Sequence, residues 1–105
     1  MIDVICAHGP MSVGESRVLQ VAGDGPFTVK VGFFVTEPAP LGLQEHATQT
    51  VEAYEDFKVT ADTDFWSQRK GGIQIDLVDA KGAKRRVHFN IQPAARSLTS
   101  GIVRA

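Results

Sequence analysis

The clearest pattern of apolar and polar positions lies in residues 71–93, where two runs alternate on either side of a turn. Apolar residues recur at every second position in 73–78 and again in 86–91. This period of two predicts two strands, each with one buried face. The residues between the runs, Asp79-Ala80-Lys81-Gly82, suit a type I turn in which Gly82 adopts a positive φ without a Cβ clash. The stretch is therefore predicted to be a β-hairpin.

The side chains of this hairpin also predict its register. If residues 80–82 form the loop, Ile75 lies opposite Val87 on one face and Asp76 lies opposite Arg86 on the other. Apolar then meets apolar and acid meets base, which is the pairing that antiparallel strands favour. A slip by one residue would turn every side chain to the wrong face. The same register pairs Ile73 with Phe89 and Gln74 with His88.

Comparable runs along the chain predict about six to eight strands separated by glycine- and proline-containing turns. Their predicted ranges are 1–7, 15–22, 27–36, 48–61 with a bulge near Glu55-Asp56 or broken there in two, 73–79, 84–92, and a last short strand at 98–104. Closely spaced strands without crossover helices predict an all-β fold. We expect an antiparallel β-sandwich, immunoglobulin-like or jelly-roll in outline. The whole chain, 1–105, is predicted to be one domain in which 93–105 is a C-terminal strand or tail.

Two segments depart from simple alternation. In the run at 27–36, Phe34 lies on the face opposite Phe33, so it is predicted to mark a second packing surface or an interface. Gly32 in the same run indicates a bulge or a close backbone approach. Arg17 falls on the apolar face of the strand predicted at 15–22.

Residues 43–54 fit two patterns. Apolar residues at helical spacing allow an amphipathic helix, whereas the β-branched Thr48, Thr50 and Val51 and the lack of a clear helix cap favour a strand. A strand is the preferred interpretation, after a long proline-containing connection at 37–44. Two alternative folds remain open: a small closed β-barrel, and a sheet with one helix at 43–54.

Composition narrows the class of protein. Apolar residues make up 43% of the chain and charged residues 22%, which is ordinary for a folded domain and argues against disorder. The single cysteine, Cys6, allows no disulfide within the chain. No signal peptide is visible, and no apolar run approaches the ~20 residues that a membrane-spanning helix needs. We therefore expect a soluble, cytoplasmic protein with no membrane partner.

Residues that carry chemistry are sparse. His8, His46 and His88 lie in different segments and lack the close spacing of zinc motifs. Asp62 and Asp64 resemble a fragment of a calcium loop, but turn-forming aspartates explain them better. No nucleophile motif and no phosphate-binding loop is present. The sequence therefore predicts no catalytic residue, no metal site and no cofactor, and an enzyme is not the favoured interpretation.

Basic residues at the hairpin tip raise the alternative of nucleic-acid binding, through Lys81, Lys84 and Arg85. The net charge of −1 and the pI near 6.3 argue against a general affinity for nucleic acid. Lysine and arginine at a hairpin end more often protect an edge against aggregation.

The favoured hypothesis is a non-catalytic protein-interaction or assembly module, whose partner is another protein or a second copy of the chain. Tryptophan and arginine are common in interface hot spots, and exposed leucines in a loop indicate a contact surface. The candidate interaction residues are Phe34, Leu41, Leu43, Phe65, Trp66 and Arg69. The first alternative is a small-ligand-binding β-barrel, with polar groups such as His8, His46 or Glu55 among aromatic side chains. Nucleic-acid binding is the second.

Overall fold

The computed structural model describes residues 2–93, which form two β-sheets and one helical turn. The strands are β1 Ile2–Ile5, β2 Met11–Ser12, β3 Ser16–Gly23, β4 Phe27–Glu37, β5 Leu41–Val51, β6 Phe57–Thr60, β7 Lys70–Val78 and β8 Lys84–Gln92, and the helical turn is α1 Thr63–Trp66. One sheet has the strand order β1-β3-β6 and the other the order β2-β8-β7-β4-β5. All neighbouring strands are antiparallel except β2 and β8.

The predicted all-β fold with two sheets is therefore confirmed. The sheets are not closed into a barrel, so the barrel alternative is wrong. The helix alternative at 43–54 is also wrong, because residues 41–51 form a strand. The predicted strand at 98–104, and the strand or tail at 93–105 beyond Pro93, lie outside the described residues.

The β7–β8 hairpin has the predicted register. Ile75 pairs with Val87 and Asp76 pairs with Arg86, and the Nε of Arg86 donates to Oδ1 of Asp76 at 2.8 Å. The turn closes where the backbone N–H of Asp79 donates to the carbonyl of Ala83. The turn and the alternation of apolar residues therefore specify the same register. A shift of the pairing by one residue would have turned the apolar face of β8 outward.

Strand β4 is an interior strand of the five-stranded sheet. It pairs with β5 on one side and with β7 on the other. Its alternation buries Phe27, Val29 and Val35 and leaves Lys30 exposed. The inward side chains of the two sheets meet in one cluster, whose fully buried large members are Phe27, Met11, Leu19, Ile75, Leu77, Val21 and Val29.

The segment predicted as a strand at 48–61, possible also as two strands, is two strands, and its predicted start is wrong. Strand β5 begins at Leu41, inside the predicted connection, and ends at Val51. The chain then turns and enters β6, which belongs to the other sheet. The feature predicted as a bulge near Glu55 is thus a crossing between sheets.

Hydrogen bonds explain why the chain turns at this point. Tyr54 has a φ of 64°, a left-handed conformation that interrupts a strand. Its backbone N–H donates to the carbonyl of Val21 on β3, which directs the chain toward the three-stranded sheet. The carboxylate of Glu55 accepts the backbone N–H of Glu52 at 2.8 Å, and the backbone N–H of Glu55 donates back to the Glu52 carbonyl.

The position of Arg17 explains how the segment before β3 is held. The side chain is 7% exposed and lies on the inner face, as predicted. Its guanidinium donates to the backbone carbonyls of Ala7, Gly9 and Pro10 at 2.8–3.2 Å. It also pairs with the carboxylate of Glu15 at 2.8 Å. One buried cation thus provides hydrogen bonds to three carbonyls of the loop that leads into β2. Sequence patterns did not predict β2, because a strand of two residues shows no periodicity.

Candidate functional site

Strand β5 differs from every other strand in its exposure. Each residue from Leu41 to Thr50 is exposed, and Val51 is the first to be buried. The three-stranded sheet ends at β6, and in the part of the chain that the structure describes none of its strands packs extensively against β5. Among residues 2–93, β4 is the sole strand that pairs with β5, so the outer backbone edge of β5 has no partner strand there.

Two irregularities interrupt the pairing of β5 with β4. Val31 pairs with Ala47 but Gly32 pairs with Glu45, so His46 is an additional residue on β5. A Cβ on Gly32 would lie 2.8 Å from the backbone oxygen of Gln44, and Gly32 therefore allows the close approach that sequence analysis predicted. A second shift lies between Phe33 and Val35. There, Gly42 and Leu43 of β5 lie opposite one residue of β4, Phe34.

The predicted contact residues Leu41 and Leu43 lie on this exposed strand and not in a loop. They are 44% and 51% exposed, and the Leu43 side chain lies beside Gly32. The strand has few of the residues that usually prevent an edge strand from pairing with another chain. Between residues 41 and 51 there is no lysine, arginine or proline, and Glu45 is the one acid. Natural edge strands commonly carry such residues to prevent pairing with another chain.

A side cleft separates the inner face of β5 from β6. It has a volume of about 540 Å³, within the range of ligand sites in proteins. Its floor is apolar and includes Val31, Phe33 and Ile73, while its rim is polar and includes His46 and Lys58. Residues 46–49 of β5 form one side of the cleft and residues 58–60 of β6 form the other.

The other predicted contact residues form a separate aromatic corner around α1. Trp66 is 4% exposed and belongs to the core. The Phe65 ring packs at 4.9 Å from the rings of Phe33 and Trp66. Arg69 stacks on Phe65 at 4.3 Å and donates to its carbonyl at 2.7 Å. Phe65 and Trp66 border the side cleft and Arg69 does not, and none of the three joins the leucines of β5 in one patch.

Phe34 is half-buried and not fully exposed. It pairs with Gly72 of β7, and its ring covers that glycine on the outer face of the five-stranded sheet. Phe34 and Leu43 therefore lie on the outer face near one another, whereas Phe65 and Trp66 lie on the inner side.

The three basic residues predicted at the hairpin tip, Lys81, Lys84 and Arg85, make different contacts. The Nζ of Lys81 lies 3.5 Å from Oδ2 of Asp24. Arg85 donates from Nη1 to the carbonyl of Ile2 at 2.8 Å and so ties β8 to the other sheet. Lys84 is exposed. The basic cluster predicted from sequence is thus divided between structural contacts and solvent.

Two titratable groups have shifted pKa values. Burial raises the pKa of the Cys6 thiol, against the smaller opposing effects of Arg17 and Arg85. A raised pKa keeps the thiol protonated and makes it a poorer nucleophile. The hydrogen bond from the backbone N–H of Ser12 lowers the pKa of the Glu15 carboxyl, opposed by burial and reinforced by Arg17.

Within residues 2–93, no three histidine, cysteine, aspartate or glutamate side chains lie close enough to hold a metal ion. No helix in the described part of the chain is long and apolar enough to cross a membrane. No protein-family model and no curated protein matches this chain.

The sequence predicted the last part of β5, from residue 48, but not its start at Leu41 or its exposure. Residues 41–50 show no alternation of apolar and polar positions, because neither face of β5 is buried. The available signal was indirect: the bulge at Gly32 and the two leucines without a place in the core.

Proposed function

We propose that the protein is a non-catalytic assembly module that forms a homodimer by pairing strand β5 with β5 of a second copy. The observation that supports this most directly is the exposure of β5 on both faces and along its outer edge. An unpaired row of backbone N–H and C=O groups is a template for an added strand. Backbone pairing of this kind requires no catalytic group and no cofactor.

The part of β5 nearest its end is suited to pairing with itself. A twofold axis at Gln49 would place Thr48 opposite the other copy's Thr50, and Ala47 opposite the other copy's Val51. Threonine–threonine pairs across antiparallel strands are favourable. Residues 47–51 carry no charge, so the pairing brings no like charges together. They also pair with β4 without a shift in register, which leaves a regular edge.

The test is the mass of the full chain in solution, measured by light scattering over a range of concentrations. We expect twice the 11.4 kDa of one chain. Thr48→Lys places two like charges near the proposed axis and should give a monomer. Thr28→Lys is the matched control, because it makes the same change on the same sheet face, one strand inward. A wild-type monomer at every concentration, or a Thr48→Lys dimer, would overturn the proposal.

A second candidate function, ligand binding, is supported by the side cleft. It combines an apolar floor with a polar rim that includes His46, one of the polar groups expected among aromatic residues. The cleft is open at its side, so the ligand would have to be held without full enclosure.

This candidate is tested with the fluorescent probe 8-anilinonaphthalene-1-sulfonate and energy transfer from Trp66, which borders the cleft. Saturable binding of one probe per chain is expected. Ala47→Phe, which narrows the cleft mouth without adding a second tryptophan, should abolish it, whereas Ala80→Phe at the remote hairpin tip should not. Unsaturable binding, or equal binding by both variants, would exclude the cleft as a ligand site.

A further inference from the structure

A second and larger cleft lies at the end of the sandwich, below α1. Its volume is about 760 Å³. Its wall exposes more apolar than polar surface and includes Val13, Trp66 and Ile91, of which Trp66 and Ile91 expose only 4% and 8% of their surface. The start of β7 and the end of β8, which pair with each other, both border it. Apolar surface of this kind gains stability when an apolar side chain covers it.

The chain itself leads into this cleft. Ile91, Gln92 and Pro93 are the last described residues of the chain, and all three line the cleft wall. Residues 94–105 follow, and this distal segment contains Leu98, as well as two adjacent apolar residues, Ile102 and Val103. A segment of this length reaches up to roughly 40 Å when extended, at about 3.3 Å per residue. The cleft is therefore within reach of all three side chains.

We propose that the distal segment, residues 94–105, docks in the end cleft of its own chain and covers the wall formed by Val13, Trp66 and Ile91. The short connection at Pro93 gives the segment an effective local concentration of the order of millimolar. A weak apolar contact is therefore enough to keep it docked. This inference is independent of the proposed β5 dimer, because the end cleft does not include β5.

Trp66 makes the proposal measurable. It is the sole tryptophan of the chain, and its ring lines the end cleft. In a full-length Cys6→Ala background, Ser100→Cys carries a nitroxide label, which quenches tryptophan fluorescence at short range. Docking should quench Trp66 strongly. The same label on Ala80→Cys should not, because the hairpin tip lies about 30 Å away along β7 at 3.3 Å per residue.

Two pairs of substitutions distinguish docking from mere tethering. Leu98→Asp with Ile102→Asp should restore Trp66 fluorescence in the Ser100-labelled protein. In the unlabelled protein the same pair should lower Tm by about 5 °C, as expected for the loss of a small apolar contact. Thr99→Asp with Ser97→Asp introduces the same charge into the same segment and should change neither quantity.

Equal quenching in the apolar and polar pairs, with no difference in Tm, would overturn the proposal. Quenching that disappears on dilution would also overturn it, because the segment would then occupy the cleft of another copy. The mass of the Thr48→Lys variant does not enter either readout, so failure of the β5 dimer is recognised separately.

Discussion

The ring of Phe34 lies over Gly72, its cross-strand partner on β7. A Cβ built on Gly72 would lie 2.7 Å from Cζ of Phe34 and 3.0 Å from the backbone oxygen of Phe89. The glycine thus provides the space into which the aromatic ring packs, an arrangement that compensates for the missing side chain in a strand. It also accounts for an apolar residue on the outer face without requiring a partner protein.

Gly72→Ala is expected to lower the free energy of unfolding by about 1–3 kcal/mol, because the added methyl group overpacks the Phe34 contact. Urea unfolding measures the change. Gly42→Ala on β5 is the control, since no atom lies within 4 Å of a Cβ there, and a surface change of this kind costs within about 0.5 kcal/mol. Equal losses in the two variants would show that the Phe34 ring does not depend on the space at Gly72.

Arg17→Met should lower the free energy of unfolding by about 3–5 kcal/mol, because it leaves three loop carbonyls and the Glu15 carboxylate without their partner. Arg17→Lys should also destabilise, since an ammonium cannot reproduce the planar fork of donors. Chemical unfolding followed by Trp66 fluorescence provides the measurement.

Arg86 is the exposed counterpart of the buried Arg17. It makes an ion pair of similar length, with Asp76, but its side chain is 66% exposed. Arg86→Gln should cost less than about 1 kcal/mol, because solvent screens an exposed pair. If Arg17→Met cost no more than Arg86→Gln, the loop from Ala7 to Pro10 would not depend on the buried guanidinium.

Glu15 should contribute to the dependence of stability on pH. Its folded-state pKa lies below the ordinary value of 4.5, chiefly because of the hydrogen bond from Ser12. A lowered pKa means that the unfolded chain binds the proton more readily. The stabilisation is therefore complete above pH 4.5 and is lost as the pH falls through the lower folded-state pKa.

The measurement compares wild type with Glu15→Gln by urea unfolding between pH 7 and the acid limit. The difference in the free energy of unfolding should be largest near neutral pH and should shrink as Glu15 becomes protonated in acid. A difference that stays constant with pH would contradict the role of the ionised carboxylate.

Asp62 acts as the N-cap of α1, where its Oδ2 accepts the backbone N–H of Phe65 at 2.9 Å. Asp62→Ala should lower the free energy of unfolding by about 1 kcal/mol. Asp62→Ser should lower it less, because a serine hydroxyl can also accept the capping hydrogen bond. Asp64→Ala is the comparison, because that carboxylate is in the first turn but is not the cap. A rise in the Tm of wild type on adding Ca²⁺ would instead favour the calcium-loop interpretation of these two aspartates.

Much of the candidate site was beyond sequence reasoning, for reasons that particular residues make clear. Leu41 and Leu43 were recognised as leucines without a place in the core, and they are exposed. That they lie on an edge strand depends on the turn after Val51, where the left-handed Tyr54 directs the chain to the other sheet. Trp66 has no local signal that separates a buried ring from an exposed one, and its burial follows from packing against Phe33 and Phe65.

The sequence by itself determined the β7–β8 hairpin, the β4 strand and the all-β class. In each case period-two alternation and turn residues act over short distances, so a single register satisfies the buried face. Tertiary structure decided which strands face one another across the two sheets. Over the described residues, no strand of the three-stranded sheet packs extensively against β5, and β5 is exposed beside the side cleft. No local pattern encodes it, because the exposure of a strand depends on what the opposite sheet covers.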